Sequence, residues 1–541
     1  MNSKFLKGTV ILLATSLLLR GIGFFYQMLV VRFAGTEAVG ILNMSLPFYS
    51  ILLVFATAGM PVAIAKLTAG FISQKQEAQI PRMMRTAFLL VGILSLCAFC
   101  AAVWILPEIF RYLGTEARVA KCFSMLIPGL VIVPFCSVMR GYFQGLQQMQ
   151  YPSFGQIAEQ LIRGITGLIL IIWICPRDVT MLAMALAASA IVGELGGFLL
   201  LWGCYIYKRK NYKREKYKRE KYKKEKYKRE KQNQQSLQKQ AASKSLLPDL
   251  LALGLPATCT RLTSSVDMAI EASLVPFCLL SMGCNASQAA AVYGQFSGVA
   301  ISLITIPTVL TGALGMALIP AVSEADAAGQ KQQLEARCSQ SIQITWMFSL
   351  PVILVIYAYG EELCRILFHI SGMGPMMRML SFGAVFLYLE QTLVGILQGL
   401  GDTRTVFVNN FLGSASKLIG MYYCISILGW GSLGIAGGIV LGYGLQCLLN
   451  LAALSRKVAL YMPASSVLLP VFGSVIMLAA INGLYTLCDG SAALLVWIIG
   501  GGSMYLLFLF LSGQLSMLRG EPSGYGMRQG QRKKNLQQKN L

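Results

Sequence analysis

The sequence predicts an all-α membrane protein of about 14 transmembrane helices, and three observations predict it. First, 55% of its 541 residues are hydrophobic and only 13% are charged, with a mean hydropathy of +0.62. A soluble chain of this length would carry about 25% charged residues. Second, apolar stretches of about 20 residues recur along the chain, the length a helix needs to cross a ~30 Å hydrocarbon core. Helices satisfy their own backbone hydrogen bonds in lipid, and an open sheet does not. Third, two such apolar blocks flank one basic run from Tyr207 to Lys231, with fifteen Lys/Arg, four Glu and a nearly repeated Tyr-Lys-Arg-Glu-Lys unit.

Taken in order, the expected helices of the first block cover residues 9–33, 40–68, 86–107, 122–145, 154–175 and 181–206. The opening segment is read as a retained helix. Arg20 interrupts its apolar run, which continues to about Val31, and no small-residue cleavage site closes it. The second block gives 248–281, 288–321, 340–359, 375–399, 405–428 and 433–455, with two further apolar segments at 465–487 and 491–513. The domain reading is a six-helix lobe over 1–206, a basic linker over 207–247, a second lobe over 248–456, two extra helices within 457–513, and a basic tail over 514–541.

The net charge of +23 is concentrated in the linker and the tail. Basic segments beside membrane helices mark the cytoplasmic side, and anionic lipid is their ordinary partner. Nucleic acid is therefore not expected. An internal N-terminus places Lys75, Arg82, Arg85, the linker, Lys331, Arg337, Arg404, Arg456, Lys457 and the tail on one side. Both termini are expected in the cytoplasm. The linker itself reads as a solvated tether, because its five-residue period builds no single apolar face.

The two blocks resemble each other. Gly-Tyr-Phe-Gln-Gly-Leu at 141–146 returns as Gly-Ile-Leu-Gln-Gly-Leu at 395–400, 254 positions on. At the same offset Arg163 falls on Lys417 and Gly40 on Gly294, while Arg20 matches Arg261 at an offset of 241. A duplicated six-helix unit follows. Six is even, so both copies share one orientation, the plan in which substrate lies in a central cavity between two parallel-repeat lobes.

Charges within membrane helices are costly and face a bundle interior or a wet cavity. Arg20 and Arg261, on the first helices of the two lobes, are candidates for a basic central cavity. Lys66, Arg163 and Lys417 join them. Guanidinium binds phosphate bidentately, so the inferred substrate is a phosphate-bearing anion. The bland reading of each arginine is a structural ion pair, and Glu159 with Arg163, four apart, reads better that way. Asp267, Glu271 and Glu390 are candidates for proton or sodium coupling; the first two could equally neutralise Arg261. The prolines inside the helices are either hinges or ordinary kinks. Fourteen cysteines lie mostly in apolar segments, and the Cys97/Cys100 pair has no second ligand pair. His369, the single histidine, is read as structural. No phosphate-cradling loop, catalytic triad or zinc motif occurs, so neither enzyme, cofactor nor metal is expected.

Several stretches carry a family resemblance. Leu-Leu-Arg-Gly-Ile-Gly-Phe-Phe-Tyr-Gln at 18–27, Gly-Thr-Glu-Ala-Val-Gly-Ile at 35–41, Ala-Gly-Met-Pro-Val-Ala-Ile-Ala-Lys at 58–66 and Arg-Gly-Tyr-Phe-Gln-Gly at 140–145 resemble the stage V sporulation protein B family. That family belongs to the polysaccharide transport branch of the superfamily that also holds lipid II flippases and MATE exporters. The resemblance implies two six-helix lobes in a V plus two C-terminal helices. It implies transfer of undecaprenyl-diphosphate-linked saccharides, peptidoglycan or spore-cortex precursors among them, from the inner to the outer leaflet, with cell-wall synthesis enzymes as possible partners. It implies cavity arginines at Arg20 and Arg261. Two other readings stay open: a cation-coupled MATE-type antiporter and a non-transporting envelope scaffold. Helix 1 carries Arg20 and no carboxylate, which weighs against drug export. The repetitive linker departs from the family pattern.

Overall fold

A computed structural model describes residues 3–74, 76–105, 107–108, 110, 116–174, 178–226, 247–487 and 491–514. Of the linker and tail, residues 227–246 and 515–541 lie outside it. Among the described residues the chain is helical throughout, with no strand.

The first unit begins with α1 (Ser3–Thr57), α2 (Met60–Ser73) and α3 (Ile80–Trp104). It continues with α4 (Ala117–Leu126), α5 (Gly129–Gly145), α6 (Gln150–Ile174) and α7 (Val179–Lys226). Next come α8 (Leu247–Ser281) and α9 (Ala286–Gly294), a π-helical segment Gln295–Ala300 and α10 (Ile301–Thr305). Then follow α11 (Thr308–Ala327), α12 (Lys331–Phe368), α13 (Gly374–Gly399) and α14 (Thr403–Tyr422) with its π-helical end Tyr423–Ile427. The chain closes with α15 (Ser432–Ser455), α16 (Ala464–Leu487) and α17 (Ser491–Leu511). Two compact units emerge: residues 1–276 with 286–294, and residues 277–285 with 295–541.

Eleven of the described helices are long and apolar enough to cross a membrane, or twelve if α4 and α5, bent by 44°, form one span. One of the eleven is the 59-residue run Thr15–Ser73. A straight helix of that length would extend roughly 88 Å, far beyond a ~30 Å core. Two breaks turn it. Gly35 stands at φ 80°, ψ 167° inside α1, a region open only to glycine. Ala58 and Gly59, both at positive φ, separate α1 from α2. The helix over 403–422 falls outside the eleven because Arg404, Asn409, Asn410 and Lys417 dilute its apolar content.

Membrane helices pack through small residues, because lipid offers no hydrophobic drive between them. The glycines of the repeated motif show this twice over. A Cβ on Gly141 would meet the Pro61 carbonyl oxygen at 2.7 Å, and one on Gly145 would meet the Ala65 oxygen at 2.7 Å. In the second unit Gly395 stands in the same way against Gly315, and Gly399 against Ile319 and Val322. Each of these partners is also 254 positions on, so the duplication read from two hexapeptides extends to the contacts they make. The loop that follows is also shared. Gln147 (φ 56°) and Gly401 (φ 78°) both turn left-handed after the motif.

At that loop each unit ties its hairpin to a later lysine. Gln148 accepts from Lys208 at the C-terminal end of the apolar part of α7, and Lys208 also lies 5.4 Å over the Tyr151 ring. In the second unit Lys457 donates to Asp402, which caps α14 by accepting from the Thr405 amide. Those two donors hold the Asp402 carboxyl below the usual aspartate range. A depressed value means the tie contributes above the unfolded pKa of about 3.9 and is lost as pH falls through the lower folded value. Amide exchange at the start of α14 is therefore expected to quicken only below about pH 4, and Asp402→Asn to show the quick exchange already at neutral pH. Unchanged exchange in that variant would remove the tie from the account.

The basic run is helical where it is described. α7 continues without a break from its apolar part to Lys226. The sequence accounts for this: Lys, Arg and Glu, which make up most of the run, are favourable helix formers. The expected tether is a helix at least to Lys226.

Candidate functional site

The charges of the first unit converge where α1, α5, α6 and α7 pack together. Arg140 on α5 donates to Glu159 on α6 at 2.6 Å, both side chains about four-fifths buried. Tyr49 on α1 donates to Glu194 on α7 at 3.2 Å. The Arg163 guanidinium lies 5.6 Å from the centre of the Tyr26 ring, near enough for a cation–π contact. The Tyr26 hydroxyl is in turn 3.3 Å from Ser189 on α7. Glycines make this closeness possible. A Cβ on Gly193 would stand 2.7 Å from both the Arg163 Cβ and the Glu159 carbonyl oxygen.

The pairing differs from the expected one. Glu159 bonds to Arg140 across helices rather than to Arg163 on its own helix. As a result no carboxylate or carbonyl among the described residues accepts a hydrogen bond from Arg163, and its Nε is buried without a partner. Glu194 acts on Arg163 through space only.

The second unit answers with exchanged sizes. Lys417 on α14 lies against Gly442 on α15, as Arg163 lies against Gly193. One turn away, Glu159 faces Gly197 in the first unit, whereas Gly413 faces Gln446 in the second. The large side chain has moved from one helix to the other. Gln446 donates to Glu390 on α13 at 2.7 Å and also to Asn410, and Asn409 donates to Asn450 at 2.8 Å. Glu390 is 9% exposed, and among the described residues it forms no ion pair.

The remaining candidates lie elsewhere. Arg20 on α1, Lys66 on α2 and Arg261 on α8 are exposed, and Asp267 and Glu271 on α8 are half-buried. All five belong to the first unit, while Lys417 and Glu390 belong to the second. Tyr49 and Gln446 were not singled out from sequence: neither is charged, and only their carboxylate partners carried a signal. Among the described residues no group of three His, Cys, Asp or Glu could hold a metal ion.

The comparisons with known proteins agree with this architecture. The stage V sporulation protein B of Bacillus subtilis (strain 168) is 25% identical over 452 residues, 84% of either chain. The lipid II flippase MurJ of the same organism is 22% identical over 440 residues, 77% of either chain. Among solved structures, a lipid II flippase MurJ in an inward closed conformation matches with a TM-score of 0.64 at 15% identity, covering 93% of this chain and 99% of that one. An inward-facing MATE multidrug transporter matches at 0.62 and 17% identity, covering 82% and 96%. At these identities the structures speak for the fold. The MatE family model matches residues 277–423. The polysaccharide biosynthesis protein model matches residues 5–326, more than half of the chain, and the chain belongs to that family of membrane transporters.

Proposed function

We propose that this transporter moves a saccharide carried on a lipid diphosphate from the inner to the outer membrane leaflet. The observation that carries the reading is Arg163: an intramembrane guanidinium, stacked near Tyr26, that donates no hydrogen bond to an acceptor among the described residues. Such a group is expensive in a membrane protein unless an anion uses it, and its planar fork suits phosphate. The relatedness to stage V sporulation protein B and to a lipid II flippase supports the same substrate class. In this reading Arg20, Arg261, Lys66 and Lys417 assist along the path. The two units alternate in access, fourteen spans place both termini in the cytoplasm, and anionic lipid attracts the basic tail.

Glu390 favours a coupled ion as well. It is a buried carboxylate held by an amide, with no cation bonded to it among the described residues. It is the first candidate for coupling, ahead of Asp267 and Glu271.

The test is leaflet transfer of a fluorescent lipid-diphosphate-saccharide in proteoliposomes. Protein-dependent transfer is expected, with a fall of about 100-fold in Arg163→Gln and about tenfold in Arg20→Gln, the size of one or two lost charge-assisted contacts. Transfer at the wild-type rate in both variants would remove the arginines from the path. No transfer by folded wild type under any ion gradient would favour the antiporter or the scaffold.

A further inference from the structure

The neighbourhood of Arg163 holds two carboxylates that could quench it. Glu159 is one turn earlier on the same helix, four residues away, where Glu-to-Arg pairing is ordinarily favourable. Glu194 sits next to Gly193, the residue packed against the Arg163 stem. A guanidinium bonded to either would present fewer donors to any other anion. Neither carboxylate bonds to it. Glu159 is drawn to Arg140 on α5 at 2.6 Å, and Glu194 accepts from Tyr49 on α1 at 3.2 Å. The Gly129 backbone packs against both the Tyr49 hydroxyl and the Glu194 carboxylate, so this second contact is fixed from two helices.

We propose that Arg140 and Tyr49 are positioning residues that each hold one carboxylate away from Arg163, which keeps its guanidinium available to a phosphate-bearing anion. The inference rests on the diphosphate reading above and names the residues that make it work. The physical logic is competition. A buried carboxylate takes the strongest donor within reach, because leaving it unpaired is costly. Arg140 offers Glu159 a full charge, so Glu159 does not turn to Arg163. Tyr49 offers Glu194 a neutral donor, which suffices only because its hydroxyl is fixed in place. Remove Arg140 and Glu159 is left with Arg163, four residues on along the same helix; remove Tyr49 and Glu194 is left with the through-space pull of Arg163 and Arg140, of which Arg140 is already bonded to Glu159. The second unit supports this by contrast. Where Glu159 would stand it has Gly413, and where Arg140 would stand it has Val394. The holding residue is absent where there is no carboxylate to hold.

The experiment uses the full-length protein in detergent with inorganic pyrophosphate as probe, and reads affinity from the shift of the thermal transition. Wild type is expected to bind and Arg163→Gln to lose binding. Arg140→Gln and Tyr49→Phe are expected to weaken binding about tenfold, the effect of one competing internal ion pair. Glu159→Gln should bind more tightly than wild type, because an anion beside the guanidinium is gone. Arg140→Gln with Glu159→Gln should regain most of the lost affinity. A purely structural pair predicts a different order, with Glu159→Gln as weak as Arg140→Gln; that result overturns the proposal. So does a double variant as weak as Arg140→Gln alone, or a wild type that ignores pyrophosphate. Tyr49→Phe keeps the test decisive if Arg140→Gln does not fold, since full-strength binding there also overturns it. If the pyrophosphate pattern holds but no lipid is transferred, the positioning role stands and the lipid substrate falls.

Discussion

Gly294→Ala is expected to lose about 3 kcal/mol of stability, at the upper end of overpacking effects. Gly40 on α1 and Gly294 on α9 lie against each other. A methyl built on Gly40 would overlap the Ala290 carbonyl oxygen, and one on Gly294 would overlap the Thr36 carbonyl oxygen. Both obstacles are backbone, so no side chain can rotate away. Thr36 and Ala290 are themselves 254 positions apart, as are Gly40 and Gly294. The contact is thus isologous within one chain: the same surface on both copies, meeting itself. Gly40→Ala should be as damaging as Gly294→Ala. The control is Gly70→Ala, where nothing lies within 4 Å. Thermal unfolding of the purified variants checks this. Gly294→Ala melting with Gly70→Ala would show that the crossing yields without cost.

Arg140→Met is the second large effect, about 3 kcal/mol, the lower end for stranding one partner of a buried pair. Methionine keeps most of the stem volume, so the loss comes from Glu159 left without its cation. Adding Glu159→Gln should restore the greater part, since two neutral side chains leave no buried charge. The double cycle separates the pair from its surroundings. A single variant as stable as wild type would mean that water or another group already satisfies Glu159.

Much of this arrangement could be read from the sequence, because apolar length and repetition are one-dimensional signals. The spans around Arg140, Arg163 and Lys417 fall where their apolar runs fall, and the Gly-Tyr-Phe-Gln-Gly-Leu motif announced the duplication. The pairings could not be read. Glu159 sits at the right spacing for Arg163, and spacing alone cannot see that α5 brings Arg140 nearer. Tyr49 carries no charge, so its part in the network has no sequence signature beyond an aromatic in an apolar run. The helix through the basic repeats carries no apolar face, so the hydrophobic pattern gives no sign of it. Its support is local, from the helix propensity of Lys, Arg and Glu, and needs no core. The exchange of Glu159 and Gly197 for Gly413 and Gln446 was invisible for another reason. It becomes visible only when α6 and α7, or α14 and α15, are placed side by side.

The unbroken course of α7 has a mechanical consequence. A continuous hydrogen-bonded helix transmits torque, and the basic end of α7 belongs to the same helix as Gly193 and Glu194. Lys208, gripped by Gln148 and Tyr151, acts as a bearing at the point where the shaft leaves its packed part. A load applied at Lys226 is therefore felt as rotation or tilt at Glu194, rather than being absorbed by slack. Inserting a bulky domain after Lys226 would load the shaft, whereas a short Gly-Ser insertion after Lys210 would uncouple it.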